Sequence, residues 1–229
     1  MMSETFQDRL TRIQERMAAA CARAGRRSDE VQLIAVSKTY GSERVREAAE
    51  CGLRIFGENK VQEAEVKVPE CPGNLSWHLV GHLQSNKAGR AAALFDQIHS
   101  VDSLKLLQRI EAAAAVEGKR LPVLLEINVS GEGSKFGLRP DAAVEVLQHA
   151  GELEYAQIVG LMTMPPLTAE AEKARTHFRR LRELRDKWSV ELSVALPELS
   201  MGMSHDFEIA IEEGATWIRV GTALFGERT

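Results

Sequence analysis

From residue 33 onward, short apolar runs alternate with helix-patterned stretches, and this alternation restricts the fold more than any other feature of the chain. The apolar runs are LIAVS (33–37), RIFG (54–57), WHLVG (77–81), QIHSV (97–101), VLLEINV (123–129), IVGLMT (158–163), ELSMG (198–202) and WIRVG (217–221). Between them lie stretches such as SERVREAAECG, SLKLLQRIEAAAAVEG, PDAAVEVLQHAGEL and AEAEKARTHFRRLRELRDKW, rich in Ala, Leu, Glu and Arg with glycine stops. Those residues favour helix. A strand, a helix and a further strand form a crossover unit, so the strands run parallel. About eight such units in 229 residues predict a (β/α)₈ barrel, slightly compact against the usual ~250 residues. A doubly wound open sheet uses the same alternation and is the alternative. Ahead of the first strand, Phe6, Leu10, Ile13, Met17 and Cys21 recur at helical spacing, which predicts an amphipathic helix stopped at Gly25. No Pro/Ser linker or low-complexity tract interrupts the chain, so residues 1–229 read as one domain with a leading helix over 1–25.

Composition removes several classes of function. Twenty-nine Lys and Arg against 33 Asp and Glu give a net charge of −4, which leaves no basic excess to neutralise nucleic-acid phosphates. No apolar run approaches the roughly 18–20 residues that span a membrane, and the charged amino terminus MMSETFQDRLTRIQERM lacks a signal-peptide core. Cys21, Cys51 and Cys71 are odd in number, widely spaced and without a C-x-x-C pair, which fits a reducing cytoplasm better than disulfides or a metal site.

Polar and glycine-rich residues follow the apolar runs directly. They are Lys38, GEN (57–59), GHLQSNK (81–87), Asp102–Ser103, NVSGEGSKFG (128–137), TMPP (163–166), MGMSHD (201–206) and GTALFG (221–226). Any one is ordinary loop chemistry. Together they gather at the carboxyl ends of the strands, where barrels carry their active sites. After the last strand, Gly221, Thr222 and Ala223 offer open backbone, a hydroxyl and unpaired N–H groups of the kind that hold phosphate. Ser204 either joins that cluster or caps the helix HDFEIAIEEG. A lysine amine held in a semi-apolar site is more easily neutral and then condenses with a carbonyl. Lys38 at a strand end, with phosphate donors at the same barrel mouth, points to a phosphorylated carbonyl ligand: a sugar phosphate or pyridoxal phosphate.

The motifs AVSKTY, FGENKVQE, WHLVGHLQSNK, VDS, LEINVSGEGSKFG, GLMTM and LSMGMSHDFEIAIEEGATWIRVGTALFG closely resemble the pyridoxal-phosphate homeostasis proteins of the YggS/PROSC type, from the first helix to the end of the chain. The resemblance implies a barrel of the alanine-racemase amino-terminal type, with pyridoxal 5′-phosphate held on Lys38 as a Schiff base. It also implies that Gly221, Thr222 and Ser204 bind the phosphate and that Arg219 faces the pyridine nitrogen. Asn59, His82, Ser200 and Met201 match positions that line the cofactor pocket. Other roles compete for several of these residues: a helix cap for Asn59, a structural hydrogen bond for His82, core packing for Met201 and Met203, and a salt bridge for Arg219. The run RRLRELRDKW reads as a solvated helix face, and Tyr40 is a local departure from the family pattern.

Two functions follow from the resemblance. One is vitamin B6 homeostasis, in which the chain buffers pyridoxal phosphate or delivers it to apo-enzymes, as a monomer and without strong catalysis. The other is a pyridoxal-phosphate amino-acid racemase with Lys38 as one base. Racemisation needs an acid/base on each face of the α-carbon. In alanine racemases a tyrosine from a second domain of the partner subunit supplies the other. The present sequence ends at Thr229 without such a domain and holds only Tyr40 and Tyr155, which favours the carrier.

Overall fold

The computed structural model describes residues 4–131, 136–166 and 170–226, so residues 132–135 of the NVSGEGSKFG stretch lie outside it. Among the described residues, eight strands alternate with helices. They are β1 (Gln32–Val36), β2 (Ile55–Glu58), β3 (Ser76–Leu79), β4 (Gln97–Val101), β5 (Leu121–Glu126), β6 (Ala156–Met162), β7 (Glu198–Met203) and β8 (Trp217–Val220). The α-helices are α1 (Phe6–Arg23), α2 (Ser42–Glu50), α3 (Val61–Lys67), α4 (Ala88–Leu94), α5 (Leu104–Glu117), α6 (Pro140–Gln148), α7 (Arg175–Glu191), α8 (Phe207–Glu212) and α9 (Thr222–Phe225). All strand pairs are parallel and β1 bonds to both β2 and β8, so the sheet is a closed barrel in chain order and not an open doubly wound sheet.

The first helix is built as its periodicity predicts. Thr5 caps it in a reciprocal pair with Asp8, and Phe6, Leu10, Ile13 and Cys21 are buried. Gly25 follows at φ +66°, where its N–H and that of Arg26 satisfy the carbonyls of Ala22 and Cys21. The helix packs on α8 and α9, beside the site where the barrel closes. The RRLRELRDKW run presents a solvated face, with Arg179, Arg180, Glu183, Asp186 and Lys187 exposed. Arg179 and Arg182 of α7 both reach the carboxylate of Glu213 just after α8, at 3.0 and 3.2 Å.

Strand alternation sorts the side chains into two layers. One face of each strand, with Phe56, Trp77, Leu79, Ile98, Val123, Leu125 and Ile218, joins the helices in the main core. The opposite face fills the barrel, where, among the described residues, Ile34, Val36 and Val80 form a small apolar cluster with Ile55 and Trp217 packed against it. Barrel interiors are ordinarily stacked Val, Ile and Leu. This one instead carries His78, His99, Ser200 and Arg219, all buried.

The packing leaves no room for a side chain at Gly160 of β6. A Cβ there would sit 2.0 Å from the Glu198 carbonyl oxygen of the paired strand β7. Gly160→Ala must push two barrel strands apart. We expect a loss of about 2–4 kcal/mol, or roughly 5–15 °C in melting temperature by circular dichroism. A shift under about 2 °C would show that the strands separate freely.

Candidate functional site

A cavity of about 410 Å³ opens at the carboxyl ends of the strands. That lies within the ~300–1,000 Å³ typical of small-molecule sites. Of the residues expected there, Lys38, Asn59, His82, Ser204, Arg219, Gly221 and Thr222 all line it. Ser200 and Met201 do not. They are neighbours on β7 and so face opposite sides of the sheet. Met201 is buried in the core, whereas Ser200 lies inside the barrel against Arg219. Met203, also weighed as core filler, lines the cavity instead.

Lys38 stands one residue beyond Val36–Ser37, exposed in the cavity where β1 has ended. The helix-cap alternatives for two neighbours fall away. The N-cap of α3 is Lys60, not Asn59, and the N-cap of α8 is Asp206, not Ser204. The Ser204 hydroxyl instead accepts a long bond (3.4 Å) from the Ala223 N–H, which draws the β7 and β8 loops together. Asp206 accepts from the Met203 N–H at 2.7 Å and steadies the same loop.

Arg219 is the most constrained group at the site. Its Nη1 donates to Ser200 Oγ at 2.7 Å and its Nη2 to the Thr163 carbonyl at 2.9 Å. Among the described residues, Arg219 thus donates to a hydroxyl and a carbonyl and not to the carboxylate of a salt bridge. Burial pulls the guanidinium down to about 10, against the opposing pull of Glu126 and Asp206, so it stays cationic at neutral pH.

The hydrogen bonds continue inward from Ser200 to His99 Nδ1 (2.8 Å), and from His99 Nε2 to His78 Nδ1 (3.0 Å). Guanidinium only donates, so the Ser200 oxygen accepts from Arg219. Burial keeps both rings neutral. It holds His78 at about 4, and it holds His99 well below the histidine range with help from the Arg219 charge.

Residues read from the sequence only as strand-end loop chemistry, and others not anticipated there, complete the site. Phe136 stacks on His82 with ring centroids 3.9 Å apart, and His82 Nδ1 lies 3.1 Å from Asp102 Oδ2. Tyr40 lines the cavity, but its hydroxyl donates to the Gly226 carbonyl at 2.7 Å and its ring stacks on Phe225. Tyr155 precedes β6, at the opposite end of the barrel. Glu126, the last residue of β5, is buried with Oε2 unbonded. Burial, reinforced by Asp102 and opposed by Arg219, pushes it up to about 7. The signal that could have found His78, His99 and Glu126 is a polar side chain at an alternate position inside an otherwise apolar run.

Residues 9–229 match the alanine racemase amino-terminal domain family. The chain is 46% identical over 222 residues to the pyridoxal phosphate homeostasis protein of Aquifex aeolicus, covering 96% of this chain and 97% of that one. It is 43% identical over 227 residues to the protein of the same name in Pseudomonas aeruginosa, covering 98% and 96%. This chain belongs to the pyridoxal phosphate homeostasis protein family. The structure of PipY from Synechococcus elongatus with pyridoxal phosphate bound superposes with a TM-score of 0.81 at 41% identity, over 93% of this chain and all of that one. An alanine racemase of Clostridium difficile shares the fold alone, at 15% identity and a TM-score of 0.69, and this homeostasis-family chain spans 56% of it. Among the described residues, no helix is long and apolar enough to cross a membrane, and no group of three His, Cys, Asp or Glu is placed to hold a metal.

Proposed function

We propose that this chain binds pyridoxal 5′-phosphate in the barrel-mouth cavity, holds it reversibly on Lys38, and buffers it or passes it to apo-enzymes. The observation that carries the reading is the meeting of an exposed lysine amine, a hydroxyl and N–H cluster, and a buried guanidinium around one cavity.

The donor set fits the cofactor. The Ser204 and Thr222 hydroxyls and the backbone of residues 221–223 suit a phosphate. A Cβ on Gly221 would lie 3.2 Å from the Val36 carbonyl oxygen, so the chain passes there with little room for a side chain. Arg219 lines the same cavity and can only donate, so it would suit a pyridine nitrogen that stays unprotonated and makes the ring a poorer electron sink. When bound, the cofactor supplies an aldehyde that condenses with a primary amine. Asn59 and His82 line the same cavity and would flank the ring, Phe136 stacks on His82, and Ser200 would act through Arg219.

The carrier reading gains support from the tyrosines. Tyr40 commits its hydroxyl to Gly226, and Tyr155 lies at the far end of the barrel, so neither is poised as the second acid/base of a racemase. One chain carries every group the reading needs, consistent with a monomer. Three free cysteines fit a reducing cytoplasm.

The test is borohydride reduction of the protein with added pyridoxal phosphate, followed by peptide mass analysis. The native chain should carry the cofactor mass on Lys38, show a visible absorption band and leave D- and L-amino acids unconverted. Lys38→Ala should lose both band and adduct. An adduct that forms equally in Lys38→Ala would refute the assignment, and steady racemisation would favour the enzyme.

A further inference from the structure

The backbone around Lys38 is gripped from both sides by one helix. On the amino-terminal side, the buried ammonium of Lys67, the last residue of α3, donates to the Ser37 carbonyl at 2.8 Å and pairs with the Glu58 carboxylate. The Ser37 hydroxyl donates to the same carboxylate at 2.7 Å. On the carboxyl-terminal side, the Thr39 N–H donates to Glu63 Oε2, also on α3, at 3.2 Å. The other oxygen of Glu63 pairs with Lys60 at 3.3 Å, which keeps the side chain aimed at the loop. Between these anchors Thr39 sits at φ +67°. That left-handed conformation is costly for a β-branched residue and persists only where the surroundings impose it.

A simpler account would make Lys67–Glu58 a tie between α3 and the barrel. Such a tie has no need of a backbone carbonyl next to Lys38, nor of a second α3 side chain on the following N–H. It also leaves a strained threonine beside the lysine without a cause. We infer that Lys67 and Glu63 are positioning residues: α3 holds the Ser37–Thr39 backbone in its strained turn and so aims the Lys38 amine into the cavity. The inference rests on the reading of Lys38 as the group that captures pyridoxal phosphate. It adds that capture depends on a helix that contributes no side chain to the described lining of the cavity.

The experiment measures, on the full chain, how much pyridoxal phosphate is fixed onto Lys38 by borohydride across a concentration series, alongside the melting temperature. Lys67→Met combined with Glu58→Gln removes the clamp without leaving one buried charge alone. We expect it to need about tenfold more cofactor for half-capture. Adding Thr39→Gly, which accepts a positive φ without strain, should recover part of that loss. Glu63→Ala removes only the Thr39 anchor, should show a smaller loss of the same kind, and serves if the double variant does not fold. Capture at the native concentration in these variants, or a loss that Thr39→Gly does not relieve, overturns the positioning role and leaves Lys67 a structural tie. Failure of the native chain to form the Lys38 adduct would instead overturn the functional reading.

Discussion

An Arg219→Met chain should melt lower than the native one and hold pyridoxal phosphate about 10–100-fold more weakly. Both effects come from the donor geometry. Without the guanidinium, the Ser200 hydroxyl and the Thr163 carbonyl lose their donor inside the barrel, and the nearby Glu126 and Asp206 lose the cation that offsets them. Methionine fills much of the space, so the loss is mainly one of satisfied polar groups, about 2–4 kcal/mol. The affinity term comes from a charge-assisted hydrogen bond to the ligand, worth roughly 1.5–3 kcal/mol. Arg219→Lys keeps the charge but not the planar fork. It should recover part of the stability and little of the affinity. Thermal melts and a cofactor titration followed by absorbance measure the two separately. Native affinity in Arg219→Met would remove Arg219 from the binding site.

The second large effect is on the pH dependence of stability. His78 titrates at about 4 in the folded chain, against 6.5 for an ordinary histidine. The unfolded state therefore binds the extra proton first as pH falls. Stability from this ring is full above pH 6.5 and lost towards pH 4, by about 3 kcal/mol, and His99 adds loss in the same direction. Glu126 acts in the opposite sense. Its folded value of about 7 lies above the ordinary 4.5, so its contribution is full below pH 4.5 and is lost as pH rises to 7. Glu126→Gln should accordingly be more stable than the native chain at pH 8, by up to about 3 kcal/mol, and equal to it near pH 4. Urea unfolding at a series of pH values reads this difference. A gain that is the same at every pH would mean that Glu126 carries no shifted proton.

Much of the fold is legible in the linear chain. Apolar runs alternating with helical stretches announce the parallel barrel, and the observed strands begin and end within a few residues of those runs. LIAVS at 33–37 becomes Gln32–Val36, and VLLEINV at 123–129 stops at Glu126, because the chain there turns away so that Ile127 bridges to Leu138. Residues just past the strand ends could be read as one functional rim, since parallel strands place all their carboxyl ends together. Lys38, Ser204, Gly221 and Thr222 do meet there. Ser200 and Met201 illustrate the limit. They are adjacent in sequence and both match pocket positions, but strand parity puts one under the site and the other in the core.

The sequence alone determined what depends on local periodicity: which segments are strands, which are helices, and at which end of the strands the loop chemistry collects. Side-chain alternation and helical pitch are properties of the nearby backbone, so they leave a pattern in the order of residues. Only the tertiary structure decided which inward-facing groups meet across the barrel. His78, His99, Ser200 and Arg219 come from four strands, and closure and register bring them into one hydrogen-bonded line. The clamp of Lys67 and Glu63 on either side of Lys38 is of the same kind, since it depends on how α3 packs against the ends of β1 and β2. Such contacts are set by three-dimensional closure, for which no local period in the chain stands as a sign.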